Sequence, residues 1–194
     1  MVSHVARNAD VLQNLLSWAQ TGVETPMYAT PEQRNADIEA GVGRPAETRA
    51  DANRTSQALL TAADALPADA WTAEVRTARG RAVPATEVLW MRCREVWIHG
   101  IDLGAGATFA DVPAPVLDAL LDDVTKGFAA RDDVPPVLLR VDESGAATRV
   151  GSGDDATDVA GPRAALVGWL LGRTDGRELT TSTGRPLPDL PAWL

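Results

Sequence analysis

One cysteine, Cys93, and two histidines, His4 and His99, are all the thiol and imidazole groups in this 194-residue chain. A lone cysteine excludes an internal disulfide and any multi-thiolate metal site. A chain this poor in such groups can build very few transition-metal sites, so where its two histidines fall is informative. Long apolar runs are also missing: none approaches the roughly 18 residues that a membrane span needs. The opening Met1-Val2-Ser3-His4 has neither a basic region nor an apolar core, so no secretory signal is expected and a cytoplasmic protein is. Positive charge is scarce, with 18 basic against 27 acidic residues and a net charge of −9. The basic residues are scattered and mostly arginine, so a phosphate backbone would be repelled. Nucleic acid and membrane are therefore not expected partners.

What remains is ordinary for a folded globular chain, with 45% hydrophobic and 23% charged residues. The length suits one domain or two small ones. Over residues 4–19, Val5, Val11, Leu12, Leu15, Leu16 and Ala19 recur near the 3.6-residue period, which predicts a helix. A loop carrying Gly22 and Pro26 follows. Thr30-Pro31-Glu32-Gln33 then combines a hydroxyl cap, a proline at the first helical position and an amide at the third, so a second helix is expected up to about Gly41. A longer helix is expected over residues 45–66, ended by Pro67. Residues 72–83 suit a short hairpin.

The most apolar helix is expected over residues 85–103. Val88, Leu89, Met91, Val96, Ile98 and Ile101 occupy more than one of its faces, which predicts a central, heavily buried element. Beyond Phe109 the pattern changes to a helix over residues 114–130, strands over 136–141 and 147–150, a helix over 164–171 and a last strand over 179–183. Helices first and mixed segments second predict an α+β protein. Its expected parts are an N-terminal helical domain, residues 1–106, and a small C-terminal α/β domain, residues 107–194.

Glu95 and His99 stand four residues apart in the most apolar helix, so their side chains leave from one face. Such a pair often makes only a surface or capping interaction. It is also half of a common metal site, and His4, on another helix, can add a third ligand across a bundle. Two histidines and one glutamate are the set that catalytic zinc uses when its fourth position stays open. Glu95 lies in an apolar stretch where an unpaired charge is costly. A metal, or Arg92 or Arg94, must answer it. Cys93 points roughly to the opposite side of the helix and reads as a small core hydrophobe rather than a nucleophile.

At these residues a resemblance appears. The run Glu87-Val88-Leu89-Trp90-Met91-Arg92-Cys93-Arg94-Glu95-Val96-Trp97-Ile98-His99 resembles the signature helix of the mycothiol-dependent maleylpyruvate isomerases. His4-Val5-Ala6-Arg7-Asn8-Ala9 is similar to the family's metal-histidine helix, and Gly22-Val23-Glu24-Thr25-Pro26-Met27-Tyr28 to the loop after it. The tail from Ser182-Thr183-Gly184 to Pro191-Ala192-Trp193-Leu194 is similar to the family's C-terminus. The E-x-x-x-H element alone is weak, but the four segments together, in order along essentially the whole chain, are strong.

The resemblance implies a DinB-like bundle in which His4, Glu95 and His99 bind one divalent metal, zinc by preference, with mycothiol as thiol cofactor. It also implies a functional arginine at the end of a helix closing in Gly-Arg, which is Leu171-Gly172-Arg173 here. By itself Arg173 reads as a cation at a helix C-terminus; the resemblance implies a role at the cleft between the two domains. The family carries a further helix ahead of the metal histidine, whereas three residues precede His4 here. Either the start of the chain is truncated or this member lacks a bundle helix, and His4 is then expected in a first turn prone to fray.

The activity implied is the cis–trans conversion of maleylpyruvate to fumarylpyruvate. A thiolate adds to the activated alkene, the resulting single bond rotates, and elimination follows. Metal coordination deprotonates the thiol. The dianionic substrate needs local cations, for which Arg173 is the first candidate and Arg81 a second. Asn8 shares a helix face with His4, and Asp102 one with His99, where Asp102 can accept the second ring N–H. Two other readings stay open: a mycothiol S-transferase on the same metal scaffold, and a non-catalytic metal-binding module.

Overall fold

The structure, a computed structural model, describes residues 1–182 and 184–193. The chain folds as two compact units, Met1–Leu103 and Gly104–Leu194, and each is described in turn. An N-terminal helical part is followed by a C-terminal α/β part, as the patterning predicts.

The first unit is built around α1, Val2–Thr21. Its apolar stripe buries Ala6, Ala9, Val11, Leu12, Leu15, Leu16 and Ala19, and the helix packs mainly on α3 and then on α4. Gly22 ends α1 in the left-handed region, φ 71°, and its N–H closes on the Trp18 carbonyl at 2.8 Å. A side chain is disfavoured in that conformation, so glycine is the efficient stop. The short α2, Pro31–Glu39, starts where the Thr30-Pro31 signal predicts, with the Gln33 N–H donating to Thr30 Oγ1 at 3.1 Å. It ends against the start of α1, where the Ser3 hydroxyl donates to the Ile38 carbonyl at 2.7 Å.

After α3, Pro45–Asp64, the strands β1, Glu74–Arg76, and β2, Ala82–Pro84, form the expected antiparallel hairpin. Val75 and Val83 are paired across it, and both join the core with Leu12, Leu16, Leu59 and Val88. Two residues separate β2 from α4, Glu87–Asp102, so the hairpin's docking fixes where that helix begins.

Burial of α4 differs from the expectation. Only Val88, Met91 and Ile98 of this helix are buried, while Leu89, Val96 and Leu103 keep 46%, 45% and 51% exposure. These three recur every seven residues and so share a stripe roughly opposite the buried one. The helix is apolar on both sides, but the core of this unit covers one. Composition shows how apolar a helix is, not which of its faces is covered.

The second unit opens with a 3-10 turn, Phe109–Asp111, followed by α5, Ala114–Ala129. Its four-stranded sheet runs in the order β4-β3-β5-β6, from β3, Val137–Val141, β4, Ala147–Val150, β5, Thr157–Gly161, and β6, Thr180–Thr181. The β3–β5 pair is parallel and the outer pairs are antiparallel. Val137, Leu139 and Val141 alternate inward along β3. On the sheet face away from those residues, Arg140 of β3 pairs with Asp158 of β5 at 2.8 Å. The helix α6, Arg163–Leu170, is buried along nearly its whole length. Thr183, expected at the end of the last strand, and the terminal Leu194 lie outside the described residues. No helix among the described residues is long and apolar enough to cross a membrane.

Candidate metal centre

His4 stands in the first turn of α1, while Glu95, His99 and Asp102 descend one face of α4. Glu95 and His99 face α1 because of their i,i+4 spacing within the helix face that also carries Val88, Met91 and Ile98. Packing of α1 on α4 then brings His4 to the same point. His4 Nε2 lies 2.9 Å from Glu95 Oε2, and His99 Nε2 lies 3.2 Å from that same oxygen. The three side chains keep 20%, 20% and 18% of their surface, enclosed yet reachable from solvent.

One ligand atom from each of the three lies within 4.8 Å of the others. A tetrahedral ion with bonds of about 2.0–2.2 Å spaces its ligand atoms roughly 3.3–3.6 Å apart. The two spacings from Glu95 Oε2, 2.9 Å to His4 and 3.2 Å to His99, come close to that range. Imidazole and carboxylate are also the donors that a borderline ion such as zinc accepts. The residues present therefore fit a divalent metal.

Electrostatics favour the ligand state of Glu95. Burial works against its charge, but hydrogen bonds with His4 and His99 outweigh it and hold the carboxyl well below the usual carboxylate range. His99 shifts upward, through its bond to Glu95 first, against burial and with help from Asp102. Asp102 Oδ2 lies 2.9 Å from His99 Nδ1. With Nδ1 donating to Asp102, Nε2 is the nitrogen that faces Glu95, and it could hold a metal once its own proton is lost.

Arg92 does not answer Glu95 directly, although the sequence offers it for that purpose. Its guanidinium turns to α1 and α3: Nη1 donates to the Val5 carbonyl at 2.7 Å and to Asn8 Oδ1 at 2.9 Å, and Nη2 to Ser56 Oγ at 2.6 Å. Asn8 is accordingly buried and engaged with Arg92. The first turn of α1 is thus tied by Arg92 through Val5 and by Ser3 through Ile38, where fraying was expected. Cys93 is half-buried, and burial pushes its thiol up, away from thiolate. Nothing in the sequence marks Tyr28 beyond its place in the loop after α1. Burial raises its phenol most; Arg34 works against the shift, and the nearby Glu95 charge adds to it. Arg34 also lies 5.6 Å from the centre of the Tyr28 ring.

Arg173 belongs to the second unit. It follows Gly172, which takes a left-handed φ of 69° to turn the chain out of α6. Its N–H donates to the Gly168 carbonyl at 2.9 Å and its Nη1 to the Leu171 carbonyl at 2.7 Å. The side chain is exposed and lines an open hollow of about 480 Å³ with Thr174, Arg177 and Glu178. Arg81 sits exposed in the β1–β2 turn, where its carbonyl accepts from the Thr77 N–H.

Two family models match. One, described as the mycothiol maleylpyruvate isomerase N-terminal domain, covers residues 1–104, and the MDMPI C-terminal domain covers residues 111–192. Among solved structures, the crystal structure of the mycothiol-dependent maleylpyruvate isomerase is 41% identical with a TM-score of 0.94, over 99% of this chain and 80% of that chain. The crystal structure of a histidine-to-alanine mutant of the mycothiol-dependent maleylpyruvate isomerase is 40% identical, with the same TM-score and coverage. No curated protein matches the chain. On these matches, with both halves of the chain covered, it belongs to the mycothiol-dependent maleylpyruvate isomerase family.

Proposed function

We propose that this chain isomerises maleylpyruvate to fumarylpyruvate in a mycothiol-dependent reaction at a metal held by His4, Glu95 and His99. One observation carries the reading: both histidines of the chain, from two different helices, meet on a single oxygen of Glu95. Three such ligands are the number that catalytic zinc keeps while leaving a position open. A divalent ion bound there, zinc in this proposal, supplies the Lewis acidity that deprotonates a thiol near neutral pH. Mycothiol, if bound beside that ion, would supply the nucleophilic sulfur that a reversible cis–trans conversion of a conjugated alkene needs.

The chain's own residues provide placement and charge. Asp102 orients His99, and Glu95 contributes the one negative ligand. The half-buried Cys93, with its raised thiol, leaves the nucleophile to come from outside. Arg173 is the proposed anchor for a substrate carboxylate, because a guanidinium matches a carboxylate with two parallel bonds. Small molecules are the proposed partners, since a net charge of −9 disfavours nucleic acid. The cytoplasm is the proposed compartment.

The test is turnover of maleylpyruvate by the purified chain, with zinc and mycothiol each supplied or withheld. Product is expected only when both are present. Isomerisation at full rate without a thiol would remove the mechanism. Conjugation of mycothiol to electrophiles without isomerisation would assign the scaffold to S-transfer.

A further inference from the structure

We propose that Arg92 is a positioning residue for the metal centre: its guanidinium sets the register between the helix carrying His4 and the helix carrying Glu95 and His99. The proposal rests on the reading of those three residues as metal ligands. His4 lies on α1 while Glu95 and His99 lie on α4, so tertiary bonds between the two helices must hold the three side chains in register. Arg92 lies one turn before Glu95 on α4, and its Nη1 holds both the carbonyl of Val5, the residue next to His4, and the side chain of Asn8, one turn further on. Nη2 reaches Ser56 on α3.

These three acceptors are uncharged, so the group is not held as half of a close ion pair with any of them. Partial burial of that cation carries a cost, seen as a lowered pKa. An apolar side chain would fill the space without the cost but would carry no directional information. A planar fork with fixed donor angles does carry it, and lysine cannot reproduce it.

Zinc affinity, measured by competition with a chelator, separates positioning from general stability. Arg92→Lys is expected to weaken zinc binding by about 10–100-fold, the range for removing outer supports of a metal ligand. Asn8→Ala, which cuts the tie to α1, should lower the affinity in the same direction. Ser56→Ala, which cuts only the tie to α3, should leave it unchanged even if the melting temperature falls. Glu95→Gln is the control and should bind no zinc tightly.

Wild-type affinity in both Arg92→Lys and Asn8→Ala, with Glu95→Gln inactive in binding, overturns the inference alone. Equal losses in Ser56→Ala and Asn8→Ala overturn it too, because they would reflect loosened packing. Tight zinc binding by Glu95→Gln overturns the metal reading instead. If Arg92→Lys does not fold, the comparison of Asn8→Ala with Ser56→Ala still decides.

Discussion

The rings of His4 and His99 meet edge to face, centroids 4.9 Å apart and planes at 88°, with both Nε2 atoms directed at Glu95 Oε2. Perpendicular imidazoles sharing one carboxylate oxygen give three donors pointing inward from different directions. Glu95 is the member that both histidines touch. Replacing Glu95 by Ala is expected to abolish tight zinc binding, because two neutral imidazoles remain and the negative ligand is gone. Metal analysis of the purified variant checks this, and zinc content equal to wild type would contradict it.

Asp102 should matter to the metal without touching it. Its carboxylate sits 2.9 Å from His99 Nδ1 and so fixes which ring nitrogen faces Glu95. Asp102→Ala should lower zinc affinity by roughly 10–100-fold. The same affinity in the variant would reduce Asp102 to a partner that steadies the helix end.

Acid should weaken metal binding. In the metal-free protein His99 has its pKa raised from 6.5, by its bond to Glu95 first, and a metal must displace that proton. The sign follows: affinity rises as pH climbs through the raised value and falls below it. Metal-free stability runs the other way, because a raised histidine pKa stabilises the fold at low pH and loses that contribution as pH rises through it. Isothermal titration in buffers of different ionisation enthalpy would detect the protons released. Zinc affinity that stays level from pH 8 to pH 6 would contradict the assignment of His99 as a ligand.

Much of this was legible in the sequence, and the parts that were not share a cause. Thr30-Pro31 marks a helix start because a cap is a local bond between neighbours, and it appears where expected. The Glu95–His99 spacing is local in the same sense. By contrast β5, which sequence reading passed over, contains Thr157-Asp158-Val159-Ala160-Gly161, with no strong apolar alternation. It is a strand because β3 and β6 flank it and Arg140 meets Asp158 across the ladder. The partners of Arg92 are hidden for the same reason: its acceptors come from α1 and α3, far away along the chain.

Cys93 should be dispensable. It is half-buried, burial disfavours its thiolate, and its position two residues before Glu95 turns it away from the proposed metal ligands. Cys93→Ser is expected to keep mycothiol-dependent turnover and to cost no more than about 1 kcal/mol of stability. Loss of turnover with zinc content intact would make Cys93 part of the chemistry and displace the external thiol from its proposed role.

Arg173 carries the prediction that bears most on substrate choice. A dianionic substrate approaching a thiolate is repelled by it, and a metal offsets only the charge on sulfur. The substrate's carboxylates need a cation of their own, in a chain of net charge −9. In the first unit the Arg92 guanidinium is committed to Val5, Asn8 and Ser56. Arg173 is exposed, and its turn is held by backbone bonds to the Gly168 carbonyl. Its bond to the Leu171 carbonyl is the helix-end role that the sequence suggests, and the two roles make different predictions. As a helix-end cation alone, Arg173→Lys should keep turnover, because lysine still interacts with the helix end. As a carboxylate anchor, the same change should lower kcat/KM for maleylpyruvate by about 10–100-fold, since losing a charge-assisted bond costs roughly 1.5–3 kcal/mol. Zinc affinity and melting temperature should stay at wild-type values in that case. Steady-state kinetics together with a zinc titration on the variant separate the two, and wild-type kcat/KM in Arg173→Lys would move the anchoring role to another residue.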